Sequence, residues 1–147
     1  MPLGVGENAP PLGGEGDYRV LVFYKVSCPT CQLTLPFVER MYRSYGERVT
    51  FLGIVQDPPR EADAFAQKYG LTFRQLIDDP SYEMSLAYDV RTVPTIYLVS
   101  PSGKILFMEE GFVKSSMEEL NEKVAGIAGA QINPLFEDVS VPAFKAG

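Results

Sequence analysis

Hydrophobic and polar positions change period several times along the chain, and each change marks an element. Tyr18 to Val26 is β-branched, aromatic and almost unbroken in apolar residues, which predicts a strand buried on both faces at the centre of a mostly parallel sheet. Leu33, Leu35, Phe37, Val38, Met41, Tyr42 and Tyr45 then recur at helical spacing. They predict a helix over Gln32 to Tyr45 with one broad apolar face, kinked where Pro36 lacks an N–H and ended by Gly46. Val49 to Val55 reads as a second strand, and Asp57-Pro58-Pro59 opens a helix over roughly Arg60 to Tyr69 that Gly70 stops. Leu71 to Ile77 is a short third strand, followed by a helix from Asp79-Pro80, with Asp79 as cap, to about Tyr88.

Strands and helices therefore alternate until Thr95 to Val99 and Ile105 to Glu109, whose short Pro101-Ser102-Gly103-Lys104 connection permits only an antiparallel hairpin. A last helix is predicted from Met117, Leu120, Val124 and Ile127 on one face, with Ser115 and Glu118 as a capping box, covering the hairpin end of the sheet. The two ends lack periodicity. Residues 1–17 are rich in Gly and Pro and read as an irregular lead-in with a short edge strand near Leu3 to Val5. Residues 130–147 read as an extended tail anchored by Leu135, Phe136, Val141 and Phe144. With residues 18–129 as core, 1–147 is expected to be a single α/β domain, without repeats.

Composition narrows the function. At 147 residues and 46% hydrophobic content, the chain can bury a sizeable core without covalent help. A formal charge of −6 with no basic cluster argues against nucleic acid and anionic membrane as partners. No apolar run approaches the roughly 20 residues that cross a bilayer, and the start of the chain has neither a basic segment nor a continuous apolar one. The expectation is a cytoplasmic protein as the chain stands, and an exported or membrane-anchored one if a leader has been removed.

Candidate chemistry is concentrated at Cys28-Pro29-Thr30-Cys31, which holds the only two cysteines, at the junction of the central strand and the following helix. Both sulfurs are then within bridging reach, and the free N–H groups and positive dipole end of the helix favour a thiolate at Cys28. Zinc needs further Cys or His ligands, and the chain has no other Cys and no His, so no metal and no bound cofactor is expected. A purely structural disulfide closing so small a loop would stabilise the fold little. A second marked feature is Thr92-Val93-Pro94-Thr95, a proline opening an apolar strand. A trans bond is simple strand initiation; a cis bond turns the Val93 N–H and C=O outward to meet an extended peptide beside the sulfurs.

Cys28-Pro29-Thr30-Cys31 after a buried strand, Pro36 beyond it, Val93-Pro94-Thr95 before the hairpin and Gly111 after it together resemble the thioredoxin fold over about Tyr18 to Gly129. The added strand-helix segment between Val49 and Ile77, and Ala87-Tyr88-Asp89-Val90 leading into Thr92, resemble the TlpA/ResA-type thiol-disulfide oxidoreductases, relatives of the peroxiredoxins. The resemblance implies a thioredoxin-like central mixed β-sheet flanked by helices, with a strand-helix insertion and an extended C-terminal tail. It also implies a cis Val93–Pro94 bond. Ser27 stands where thioredoxins carry Trp, Pro29-Thr30 replaces Gly-Pro, and Val22 occupies the place of the acidic residue in the strand. In ResA-type relatives a Glu after the second strand serves as the internal base, and Asp57 falls at the matching position; its other reading is a helix cap before Pro58. Phe23-Tyr24 and the cysteine spacing also resemble the peroxiredoxin signature, with Lys25 in place of its proline and Cys28 in place of its threonine. Lys25 either lies near the sulfurs or is an ordinary solvated strand-end lysine.

The function expected from these residues is exchange of the Cys28–Cys31 dithiol with protein disulfides, as a reductant, with an external electron donor. Cys28 is the expected nucleophile, Cys31 the resolving thiol and Asp57 the proton acceptor. Ser27, Pro29, Thr30, Thr92, Val93 and Pro94 border the expected substrate groove, in a protein expected to be monomeric. The competing readings are a peroxiredoxin-like peroxidase and a non-catalytic binding domain that presents its Pro94 edge and tail to a partner.

Overall fold

The computed structural model describes residues 1–147, and in it the strand expected at the centre is there: Arg19–Tyr24 (β1) is buried at all six positions. On one side β1 pairs in parallel with Thr50–Val55 (β2), which pairs in parallel with Arg74–Ile77 (β3). On the other side it runs antiparallel to Thr95–Val99 (β4), which runs antiparallel to Ile105–Glu110 (β5). The result is a five-stranded mixed sheet of order β3-β2-β1-β4-β5.

Because side chains alternate along a strand, β1 feeds two cores at once. Val20, Val22 and Tyr24 face the larger one, with Leu35, Val38 and Met41 of helix α1 (Pro29–Tyr45), Phe65 of α2 (Pro59–Tyr69), and Leu120 and Val124 of α4 (Lys114–Ala128). Leu21 and Phe23 face the smaller core, where Tyr88 and Tyr97 meet Phe23 and each other in tilted and edge-on contacts, and Leu3, Leu12 and Met84 of α3 (Glu83–Ala87) close over them. α1 thus leaves the central strand with its start at the C-terminal edge of the sheet and its length across the core.

Several element boundaries differ from expectation. α1 begins at Pro29 rather than Gln32, because proline is preset for the first helical position and Cys28 supplies the cap. The helix expected from Asp79 shrinks to Glu83–Ala87: Asp79–Pro80 is a cis bond in a turn. Asp78, not Asp79, holds the helix start, accepting from the N–H groups of Met84 at 2.9 Å and Ser85 at 2.8 Å. The Ser115–Glu118 capping box does not form; Val113 is the N-cap without a side-chain bond, and Ser116 Oγ donates instead to Glu109 at 2.6 Å. No strand forms at Leu3–Val5. The lead-in meets β5 slightly later, with Gly6 N–H on Ile105 O at 2.9 Å and Ile105 N–H on Glu7 O at 3.0 Å.

The tail is more structured than an extended segment. Leu135 (3% exposed) and Phe136 (9%) enter the larger core as expected and Val141 packs against it, but Phe144 is 62% exposed and anchors nothing. Phe144–Lys145 instead forms a two-residue strand, β7, antiparallel to Phe112–Val113 (β6), which lies between β5 and α4.

Candidate active site

The site is built where β1 gives way to α1. After Tyr24 the chain turns through Lys25 to Ser27, with Cys28 N–H on Lys25 O at 3.4 Å and Gln32 Nε2 donating to Val26 O at 3.0 Å. The turn sets Cys28 at the N-cap, in extended conformation, and its Sγ accepts the Cys31 N–H at 3.2 Å. A helix start has N–H groups without helical partners, and the cap sulfur satisfies one of them.

The two thiols are unlike. Cys28 is half-buried and faces outward, whereas Cys31 is wholly buried. Burial pushes the Cys31 thiol well above its ordinary range; the hydrogen bond to Cys28 and the Cys28 and Asp57 charges add to the rise, while a backbone bond at Lys25 opposes it.

Opposite the thiols, Val93–Pro94 is cis, and Cys28 Sγ lies 3.5 Å from the Val93 carbonyl as its donor. Pro94 is buried with its carbonyl held by Gly111 N–H at 2.8 Å. Thr30, 2% exposed, points its hydroxyl away from α1, onto Ala146 O at 2.5 Å. Cys28 Sγ thus meets both the Cys31 N–H and the Val93 carbonyl, with Thr30 and Pro94 adjacent in the chain. Ser27 and Pro29 form an exposed rim, and Thr92, also exposed, turns its hydroxyl to Glu110 at 3.0 Å.

Asp57 lies two residues past the end of β2 but does not cap α2, whose N-cap is Pro58. Its Oδ2 accepts the Val26 N–H at 2.9 Å, two residues before Cys28, so the carboxylate braces the strand exit and its charge is felt at Cys31. Tyr24 is a neighbour that sequence reasoning missed: fully buried, its hydroxyl donates to Gln75 Oε1 at 2.7 Å, and burial, with the Asp57 and Cys31 charges, raises its pKa. Its one signal was the Phe23-Tyr24 pair, which pointed to the peroxiredoxin signature and not to a hydroxyl buried beside Cys31. Lys25 lines a cleft of about 400 Å³ with Gln56, Arg91, Thr92 and Val93. The largest cleft, about 540 Å³ between Arg40, Arg43 and Asn133, touches neither thiol.

A five-stranded mixed sheet with a Cys-x-x-Cys pair at the start of α1, facing a Val-Pro loop, defines a thioredoxin-fold protein. The AhpC/TSA family profile matches residues 12–108, and the chain belongs to that family. Among similar proteins, the thiol-disulfide oxidoreductase ResA of Halalkalibacterium halodurans is 29% identical over 107 residues, covering 71% of this chain and 60% of that protein. The chain thus spans less than two thirds of the length of that relative. A secreted Mycobacterium tuberculosis disulfide oxidoreductase homologous to Escherichia coli DsbE superposes with a TM-score of 0.66 at 26% identity, covering 76% of this chain and 83% of that one. A thiol:disulfide interchange protein from Bacteroides sp. reaches a TM-score of 0.73 at 20% identity over 88% of this chain and 93% of its own, a likeness of fold.

Proposed function

We propose that this chain is a ResA/TlpA-type thiol-disulfide oxidoreductase that reduces protein disulfides through Cys28 and Cys31. The observation that carries the reading is the asymmetry of the pair: a half-exposed sulfur receiving the Cys31 N–H at 3.2 Å, backed by a fully buried second thiol. The ResA and DsbE names of its relatives support the same reading.

In the proposed cycle the Cys28 thiolate attacks one sulfur of a substrate disulfide; a mixed disulfide forms, and the other substrate sulfur leaves and takes up a proton. Cys31 then loses its proton and attacks Cys28 Sγ, forming the Cys28–Cys31 disulfide and releasing the second substrate thiol. Two electrons pass from the chain to the substrate, and a dithiol donor outside this chain restores the reduced pair. Asp57, whose charge is felt at Cys31, takes the resolving proton directly or through water. Thr30, Val93 and Pro94 flank the substrate strand, with Ser27, Pro29 and Thr92 at the rim. Residues 1–147 act as one monomeric unit in this reading. Its setting is an exported one, as in the secreted Mycobacterium tuberculosis relative, rather than the cytoplasm expected from the chain as it stands.

Insulin reduction with a dithiol donor tests the proposal. Turnover that Cys28→Ser abolishes is the expected result. The same protein assayed for peroxide consumption tests the reading that the family's peroxidase-like members invite, and rapid peroxide turnover without insulin reduction would replace the proposal with it.

A further inference from the structure

Residues 143–147 reach the loop that Cys28 faces. β7 pairs with β6, Lys145 opposite Phe112 and Phe144 opposite Val113, and Lys114 N–H donates to Ala143 O at 2.9 Å. One residue past β7, Ala146 O accepts the hydroxyl of Thr30, between the two cysteines, at 2.5 Å. Gly147 then packs so closely on the Val93 carbonyl that any side chain there would overlap it, and this is the carbonyl that Cys28 Sγ faces at 3.5 Å. Gly147 also borders the cleft lined by Lys25, Gln56 and Val93.

We propose that Ala143–Gly147 is a tethered occupant of the groove beside Cys28, a built-in competitor that a substrate strand must displace before its disulfide reaches the thiol. The proposal rests on the reading of Cys28 as the exchanging thiol. A segment serving only to complete the core would be apolar and buried, and the tail has such a segment elsewhere: Leu135 and Phe136 are buried, and Arg40 Nη1 holds Leu135 O at 2.6 Å. Beyond Val141 every residue is exposed, and the contacts named here engage the tail through its backbone. An incoming extended peptide of other sequence can make the same backbone contacts, which is how strand addition works. Exposed side chains with few apolar contacts also place this stretch at the low-stability end of the molecule, free to open without unfolding it. Anchoring at Leu135 and Phe136 keeps the released end near the groove, so its effective concentration is on the order of millimolar. The apparent affinity for substrate falls by the fraction of molecules with the groove open.

The test compares the full chain with one ending at Pro142 and with Lys145→Pro in the full chain, since a proline has no N–H for β7 to use. Reduced proteins are treated with a bulky maleimide, and Cys28 labelling is followed by mass spectrometry. Both variants should label faster, on the order of tenfold. Adding the peptide of residues 141–147 to the shortened chain should slow labelling again. In insulin reduction the same variants should lower KM and leave kcat unchanged. Equal labelling rates in full and shortened chains with matching circular dichroism and melting would overturn the proposal; if the shortened chain melts early, Lys145→Pro carries the decision. Faster labelling with no insulin reduction in any chain keeps the tail in the groove and removes the exchange reading. Insulin reduction with unchanged labelling and KM keeps the exchange reading and removes the tail's role.

Discussion

Two thiols three positions apart differ because one caps a helix and the other lies inside its first turn. Cys31 has no exposed surface, so limiting iodoacetamide should label Cys28 first, and Cys31→Ser should accumulate the mixed disulfide with substrate. Labelling of Cys31 first would reverse the roles. Asp57 permits a test in which two roles have opposite signs. Its charge helps raise the Cys31 pKa, so if it acts only through its field, Asp57→Asn should ease Cys31 deprotonation and speed resolution. If it accepts the proton, as proposed, the same variant should slow resolution by about a hundredfold at neutral pH while leaving attack by Cys28 unchanged. Stopped-flow decay of a preformed mixed disulfide reads the resolving step alone. The Asp57 contact with Val26 N–H remains available to the Asn oxygen, so a folding defect should not obscure the result.

At the scale of elements, β2 owes part of its sequence to its neighbour β3. Gly53 is buried opposite Gln75, and a Cβ at Gly53 would overlap the Gln75 amide whose oxygen holds the Tyr24 hydroxyl. Gly53→Ala should therefore displace Gln75 and leave the Tyr24 hydroxyl buried without its partner, a loss of about 1–3 kcal/mol. Urea unfolding measures it, and Gly53→Ala should cost less in a Gln75→Ala background, where there is no amide to overlap and no bond to the Tyr24 hydroxyl left to lose. The short α3 follows similar logic. Asp78 spends both carboxylate oxygens on the N–H groups of Met84 and Ser85, so the helix starts where these donors are satisfied and not at the first proline that would permit it.

For the whole molecule, the buried ionisable groups predict how the reduced protein responds to alkali. Burial is the leading cause that raises Cys31 from its ordinary value of 9.0 and Tyr24 and Tyr88 from 10.0; it also pushes Tyr97 up to about 12. Unfolded, these groups ionise near their ordinary values; folded, they hold their protons longer. Between the two values the folded state binds more protons, so stability falls as pH rises. Their contribution is fully present below pH 9.0 and declines above it, first through Cys31 and from 10.0 through the tyrosines as well. Denaturant titrations from pH 8 to 12 should give a curve flat at first and then falling, and Cys31→Ser should delay the onset toward the tyrosine range. A curve still flat at pH 12 would contradict the burial of these groups.

What the sequence by itself determined was whatever depends on neighbours along the chain. The nearly unbroken apolar run Tyr18 to Val26 made β1 central, the spacing Leu35, Val38, Met41 set the buried face of α1, and Cys28-Pro29-Thr30-Cys31 at their junction located the candidate site. The resemblance carried by Val93-Pro94-Thr95 implied a cis loop beside the thiols, and the Val93 carbonyl does face Cys28. Only the tertiary structure decided where partners distant in sequence meet. Asp57 resembled a cap for the helix it precedes, yet its carboxylate goes to Val26 because the β1–β2 register brings that N–H within reach. The one signal in residues 143–147, Phe144, pointed to the core it does not reach; the rest carry no period, and backbone hydrogen bonds can be made by almost any sequence. Their position beside Thr30 and Val93 follows from where Leu135 and Phe136 lock into the core and from the pairing of β7 with β6, a matter of packing that no local pattern encodes.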